Sequence, residues 1–256
     1  MSIADKILRA KEDYDNVYDA GKGKGYTEGY AHGEQNGYDL GFDEGKKSEY
    51  DAFWDEYQLF GERDDYRQGF SGAGWTDRTF KPKYNIVPLM AQGMFAYSGI
   101  KNLKQCLIDN NVTLDFGQNT RFTQMFATSA LEVAPKIDVR SDVYSSGLNQ
   151  MFYGCSNLHT IDEIILKDDG SSILGSSTFY QCYALEEIRF QGVIGQNLDL
   201  GDCPLSGESI KSVMTALSTT SSGTTLTLNA DAVHKEFTDA EWSALRATRS
   251  NWFFNV

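Results

Sequence analysis

Apolar residues recur along the middle of the chain in one repeated cluster. Met94-Phe95-Ala96-Tyr97-Ser98 is followed by Met125-Phe126-Ala127-Thr128-Ser129, then Met151-Phe152-Tyr153-Gly154-Cys155 and Thr178-Phe179-Tyr180-Gln181-Cys182. The phenylalanines are 31, 26 and 27 residues apart, and a leucine trails each cluster: Leu103, Leu131, Leu158 and Leu185. Short runs of apolar-x-apolar character come next: Leu114-Asp115-Phe116, Ile137-Asp138-Val139, Ile164-Ile165-Leu166 and Ile188-Arg189-Phe190, with Leu226-Thr227-Leu228 as a fifth. Alternation with period two means one face in and one face out. The pattern predicts a unit made of a compact turn or helical segment led by Phe, followed by one short strand. One such unit cannot bury its own apolar face, whereas stacked units share a core with their strands side by side in a parallel sheet. The expected fold class is an α/β repeat, a short solenoid with parallel strands over residues 91–203.

The flanks carry other patterns. Residues 3–20 read as a short helix with Ile3, Ile7, Leu8, Tyr14 and Tyr18 among charges. Gly21, Gly25, Gly29, Gly33, Gly37, Gly41 and Gly45 then recur at every fourth position, with Tyr26, Tyr30, Tyr38 and Phe42 each following a glycine. On a helix this spacing strips one ridge of side chains and admits a second backbone. It resembles, loosely, the glycine-repeat helix of a flagellar export regulator. Interior glycines cost a helix about 0.8–1 kcal/mol each, and a period of four precesses against 3.6 residues per turn. Residues 1–45 are therefore either a docking or oligomerisation helix or a flexible acidic tether. Lys46 to Phe60 places Tyr50, Phe53, Trp54, Tyr57 and Phe60 on one helical face, which suits an aromatic N-terminal cap over 46–90. Gly69 to Pro82 reads as loop, and Tyr84 to Pro88 as a first strand-like element. Beyond the repeats, Ser206 opens a helix to Leu217, Thr224 to Leu228 is a strand, Thr238-Asp239-Ala240-Glu241 is a capping box, and Trp252-Phe253-Phe254 closes a C-terminal cap over 204–256.

The motif F-Y-x-C-x-x-L with apolar strands at this spacing resembles the BspA-like leucine-rich repeats. Glu49 to Asp55, Gly74-Trp75 through Tyr84, Cys203-Pro204-Leu205 through Ile210, and Glu241-Trp242 to Trp252 resemble the segments flanking such repeats in proteins of gut-bacterial phages and prophages. The resemblance covers residues 46–256. It implies a virion-associated leucine-rich-repeat protein of a tail, baseplate or fibre, engaged in host attachment by protein or glycan binding.

Charge and chemistry narrow the classes. The net charge is −13, with 17 acids against 9 bases in residues 1–70. Such a surface argues against a nucleic-acid footprint and against anionic membranes. No apolar run approaches the ~20 residues that span a bilayer, and Met1 to Lys6 lacks the apolar core of a signal peptide. That fits assembly in a bacterial cytoplasm better than export, so the expected location is the virion, with the bacterial cell surface or exterior as the alternative. The four cysteines, Cys106, Cys155, Cys182 and Cys203, lack zinc spacing, and Cys155 and Cys182, at equivalent repeat positions, read as two buried thiols rather than a disulfide. His32, His159 and His234 are scattered, Asp168-Asp169-Gly170 reads as a turn rather than a calcium loop, and no catalytic motif is recognisable. No cofactor, metal or enzymatic activity is expected.

In each strand the flanking apolar residues point inward, so the middle residue points out. Stacking predicts one outward column, Asp115, Asp138, Ile165, Arg189 and Thr227, extended by Thr113, Lys136, Glu163, Glu187 and Thr225. Repeat proteins bind through such extended faces. The expected assembly contacts are Gly25, Gly29, Gly33, Gly37 and Gly41 with Tyr26, Tyr30, Tyr38 and Phe42, toward other virion proteins or further copies of the chain in a particle. The competing classes are a leucine-rich-repeat interaction protein of a bacterium outside any virion and a glycan-active enzyme with a carboxylate pair.

Overall fold

A computed structural model describes residues 70–256 apart from 73, 84, 89–90, 117–120, 141–146 and 176. All of these fall within the unit Glu62–Val256. The helices expected at 3–20 and 46–60 and the glycine tract lie outside the described residues.

The phenylalanine clusters fold as overlapping turns, not helices. Within each cluster alternate N–H groups bond three residues back: Met125 to Phe122 (3.1 Å), Ala127 to Gln124 (3.1 Å) and Ser129 to Phe126 (3.1 Å). The N–H groups between them donate to the following copy. Phe95 bonds Met125 O (2.7 Å), Phe126 bonds Met151 O (2.8 Å) and Phe152 bonds Thr178 O (3.0 Å). Two residues on, Tyr97 bonds Ala127 O (2.9 Å), Thr128 bonds Tyr153 O (2.7 Å) and Gly154 bonds Tyr180 O (2.8 Å). This alternation requires left-handed backbone, and Tyr97, Thr128, Gly154 and Gln181 all have φ between 56° and 72°. Only Gly154 adopts it freely; for the other three it costs about 1–2 kcal/mol each, set against ladder hydrogen bonds worth ~1 kcal/mol each.

The rings follow the backbone. Phe95–Phe126, Phe126–Phe152 and Phe152–Phe179 stack at 5.4, 5.2 and 5.7 Å. Phe70 continues the stack onto Phe95 at 5.2 Å. The stretch read as loop thus begins with a further copy, whose Gly72 (φ 104°) takes the left-handed position. Trp75 and Phe80 pack edge-on against Phe70 at 5.3 and 5.1 Å. Leu103, Leu131, Leu158 and Leu185 are buried beside the stack.

Short parallel strands and a few helices complete an α/β arrangement. Helix α1 is Leu103–Asp109. Strands β1 (Val133–Ala134), β2 (Ile137–Asp138), β3 (Thr160–Ile165) and β4 (Glu187–Gln191) form one sheet in which β1, β2 and β4 all pair with β3 in parallel. Strand β5 (Leu198–Leu200), helix α2 (Gly207–Ala216), strand β6 (Thr224–Leu228), helices α3 (Ala230–Glu236) and α4 (Asp239–Ala247), and strand β7 (Trp252–Asn255) follow. Strands β5, β6 and β7 make a second parallel sheet. Ser206 caps α2, and Thr238 with Glu241 forms the capping box of α4. The segment 84–88 contributes an isolated parallel bridge, Ile86 to Leu114.

Side chains close the ends of the backbone ladders. At the entrance to the strands, the Lys101 carbonyl accepts from Glu132 (2.7 Å) and Val133 (2.9 Å), and Glu132 O accepts from His159 (2.9 Å) and Thr160 (3.2 Å). His159 O accepts from Glu186 (3.1 Å) and Glu187 (3.0 Å). Upstream of Lys101 the carboxylate Oδ1 of Asp77 takes the carbonyl's role, accepting from Lys101 (2.7 Å) and Asn102 (3.1 Å). Downstream, Asp202 Oδ2 accepts from Gln181 N (2.8 Å), the last turn position. The free edge of β4 is met by α2, whose Ser209 and Ser212 hydroxyls accept from Ile188 (3.0 Å) and Phe190 (3.1 Å). An edge that would otherwise invite another strand is thereby satisfied.

Candidate functional site

The outward column expected from the sequence divides into three places. Strand β3 holds one residue more than β4 between paired positions, since Ile161 pairs with Ile188 but Ile164 pairs with Phe190. The extra residue falls at Asp162-Glu163, opposite Arg189. In register, the outward rows are Val133–Thr160–Glu187 and Asp138–Ile165–Gln191. Arg189 therefore does not line up with Ile165. Thr227 belongs to the second sheet, between Asp199 and Asn255, and Thr225 pairs with Phe253. Asp115 sits on the segment tied to Ile86 through its N–H (2.8 Å), with Thr113 beside it.

Ile165 is the clearest correction. It was expected to be exposed and is 5% exposed. It lies on the central strand, between Asp138 on one neighbour and Gln191 on the other, and neighbouring strands cover a residue there from both sides. A charge placed at Ile165 would be buried, so Ile165→Asp is a core change rather than a surface one.

What the strand side does present is a set of cation–carboxylate pairs, two joining successive copies and one, Lys104–Asp162, reaching across a whole copy. Lys101 bonds Glu132 (2.9 Å), Lys104 bonds Asp162 (2.8 Å) and Lys136 bonds Glu163 (2.8 Å). Within one copy, Arg140 makes a forked contact with Asp138, 2.6 Å at its closest. The Arg140 hydrogen bonds hold the Asp138 carboxyl below its usual range, and bonding to Glu132 raises the Lys101 ammonium. Glu187 accepts from Ser209 Oγ (3.3 Å). Arg189 is exposed and makes no ion pair with another described residue. Of the predicted residues, the sheet thus brings together Asp138, Lys136, Glu163, Glu187 and Arg189. It leaves Asp115, Thr113, Thr225 and Thr227 elsewhere and buries Ile165. The expected assembly residues Gly25, Gly29, Gly33, Gly37, Gly41, Tyr26, Tyr30, Tyr38 and Phe42 lie outside the described residues.

The sequence reading did not find Lys101, Lys104, Glu132 and Asp162, which belong to this surface. A usable signal existed for two of them. Lys101 and Glu132 occupy one position in successive copies, six residues after Phe95 and Phe126, so opposite charges there meet across the ladder.

The thiols serve packing. Cys155 Sγ donates to Phe126 O (2.9 Å), and Cys182 Sγ to Phe152 O (3.2 Å). All four cysteines are free and buried. Burial pushes the Cys155 thiol up to about 11 and Cys106 up to about 12, and raises Cys182 and Cys203 as well. Such thiols are poor nucleophiles near neutral pH. Among the described residues, no group of three or more His, Cys, Asp and Glu is placed to hold a metal ion. Among them too, no helix is long and apolar enough to cross a membrane. No protein-family model, no curated protein and no solved structure matches the chain.

Proposed function

We propose that the chain is a non-enzymatic display module: a short BspA-like leucine-rich-repeat solenoid, carried as a structural or attachment component of a phage tail, baseplate or fibre. It binds a protein or glycan through the strand side, and residues 1–45 dock it to other virion proteins or further copies. The observation that supports this reading best is the register of the motif copies. Five rings in line and two backbone ladders make a rigid scaffold, and preorganised scaffolds lose little entropy when a partner docks. The paired charges on the strand side, with Arg189 standing free of them among the described residues, supply a polar face on that scaffold.

The test has two parts. Mass spectrometry of purified particles should find the chain as a stoichiometric component, and its absence from them overturns the virion assignment. The variant Arg189→Glu, exposed and outside the core, should fold normally and weaken attachment of the particle or the isolated protein to host cells. Full attachment by this variant removes the strand side as the binding face.

A further inference from the structure

The turns that carry the phenylalanines have an outer surface whose chemistry differs from the strand side. At the position after the phenylalanine stand Ala96, Ala127, Tyr153 and Tyr180; the alanines are buried, whereas the tyrosines reach the surface. The rings of Tyr153 and Tyr180 stack at 5.3 Å with 26° between their planes. Tyr180 is 46% exposed, and Tyr183, in the same copy, is 57% exposed. Gln181 lies between them, its backbone pinned by Asp202. Along the preceding turns Gln124 donates to the Gln150 amide (2.8 Å), and Gly154 sits close to Thr128, where a Cβ would come within 3.2 Å of the hydroxyl.

These turn residues, two glutamines and a threonine leading to Tyr153, Tyr180, Gln181 and Tyr183, carry no formal charge; Asp202 bounds the strip at one end. On a chain of net charge −13, a neutral strip of aromatic rings, amides and hydroxyls is an exception. Rings offer apolar faces, while amides and phenols donate and accept hydrogen bonds. The complement is a neutral ligand with C–H faces and many hydroxyls. A cationic peptide would be drawn to the carboxylates elsewhere, and an anionic one would be repelled by the chain as a whole.

We propose that the outer surface of the turns, centred on Tyr180 and Tyr183, is a binding subsite for neutral oligosaccharides, separate from the strand side. Stacking on Tyr153 fixes one face of the Tyr180 ring, so little side-chain freedom is lost when a sugar packs against it. Gln181, next to Tyr180 in the chain, carries an amide able to hydrogen-bond hydroxyls.

Calorimetric titration of the full chain with cellulose-, starch- and chitin-derived oligosaccharides tests this. At least one probe should bind. Tyr180→Ala and Tyr183→Ala should each weaken that binding about tenfold or more, while Tyr180→Phe and Arg189→Glu retain it. Circular dichroism checks the folding of each variant; if Tyr180→Ala does not fold, the exposed Tyr183→Ala decides. Absence of binding to all three probe families overturns the proposal. So does binding that both alanine variants leave unchanged, or that Arg189→Glu abolishes; this last outcome would place the sugar on the strand side and leave the display reading intact.

Discussion

On the turn side, Phe95, Phe126, Phe152 and Phe179 lie with successive ring planes 8° to 10° apart. On the strand side of the same copies, β3 slips by one residue against β4. Strand pairs shrink to the two residues of β1 and β2, and charges bridge the gaps. The difference follows from what each side must satisfy. In the turns, every second N–H has its acceptor in the next copy, and a misplaced ring would open a void in a close-packed interior. On the strand side, water and long flexible side chains absorb an irregularity. Periodicity is therefore strict where burial is complete and loose where solvent can compensate.

Three changes probe that contrast. The largest effect belongs to the ring stack. Phe152→Ala removes a fully buried ring flanked by two others and should cost on the order of 3–5 kcal/mol from lost burial and the cavity left behind. Urea unfolding measures it, and a loss under ~1 kcal/mol would mean that the stack is not the core.

A middle effect is expected at the ladder's end. Asp77→Ala leaves the N–H groups of Lys101 and Asn102 without their acceptor. Water can replace part of that bonding, so the expected cost is about 1–2 kcal/mol. Amide exchange should accelerate first at Lys101 and Asn102. Equal acceleration throughout the chain would show that Asp77 is not a local cap.

The smallest effect is expected on the strand face. Arg140→Ala removes the hydrogen bonds that depress the Asp138 carboxyl, and exposed pairs contribute little. Its sign with pH is definite. A carboxyl whose folded pKa lies below its unfolded value stabilises the fold above the unfolded value, near 3.9. That contribution is lost as the pH falls toward the folded pKa. Thermal melts of the variant and the parent should therefore differ slightly at neutral pH and converge in acid. A gap that widens in acid would show that Asp138 is not held by Arg140.

Much of this was legible beforehand. The four phenylalanines, their trailing leucines, the caps Ser206 and Thr238, and the strands expected at 224–228 and 252–254 are local patterns, and they appear where the sequence placed them, the last running one residue further to Asn255. Phe70 was missed because Gly69-Phe70-Ser71-Gly72 lacks both the methionine that marked three of the other copies and the trailing leucine that marked all four. The glycine two residues after it was the overlooked signal, since that position is left-handed in every copy. The outward column lost Arg189 because a single inserted residue at Asp162-Glu163, which no local pattern announced, shifts the pairing beyond it, and it lost Ile165 because that residue, correctly opposite Asp138, is buried on the central strand.

By itself, then, the sequence determined which side chains of the motif are apolar, at what period they recur, and where helices α2 and α4 begin; helix α3 it did not announce. Those properties depend on spacing within about ten residues of chain, which composition and period express directly. Only the tertiary structure decided which of 36 acids would close the ladders, which cations would pair across copies, and which tyrosines would reach solvent. Each of those choices depends on residues 21 to 58 positions apart being brought within hydrogen-bonding or stacking distance. Asp77 and Asp202 have no distinguishing neighbours in the sequence. They acquire their roles because, among the described residues, no further copy supplies a carbonyl there, and the backbone N–H groups require an acceptor.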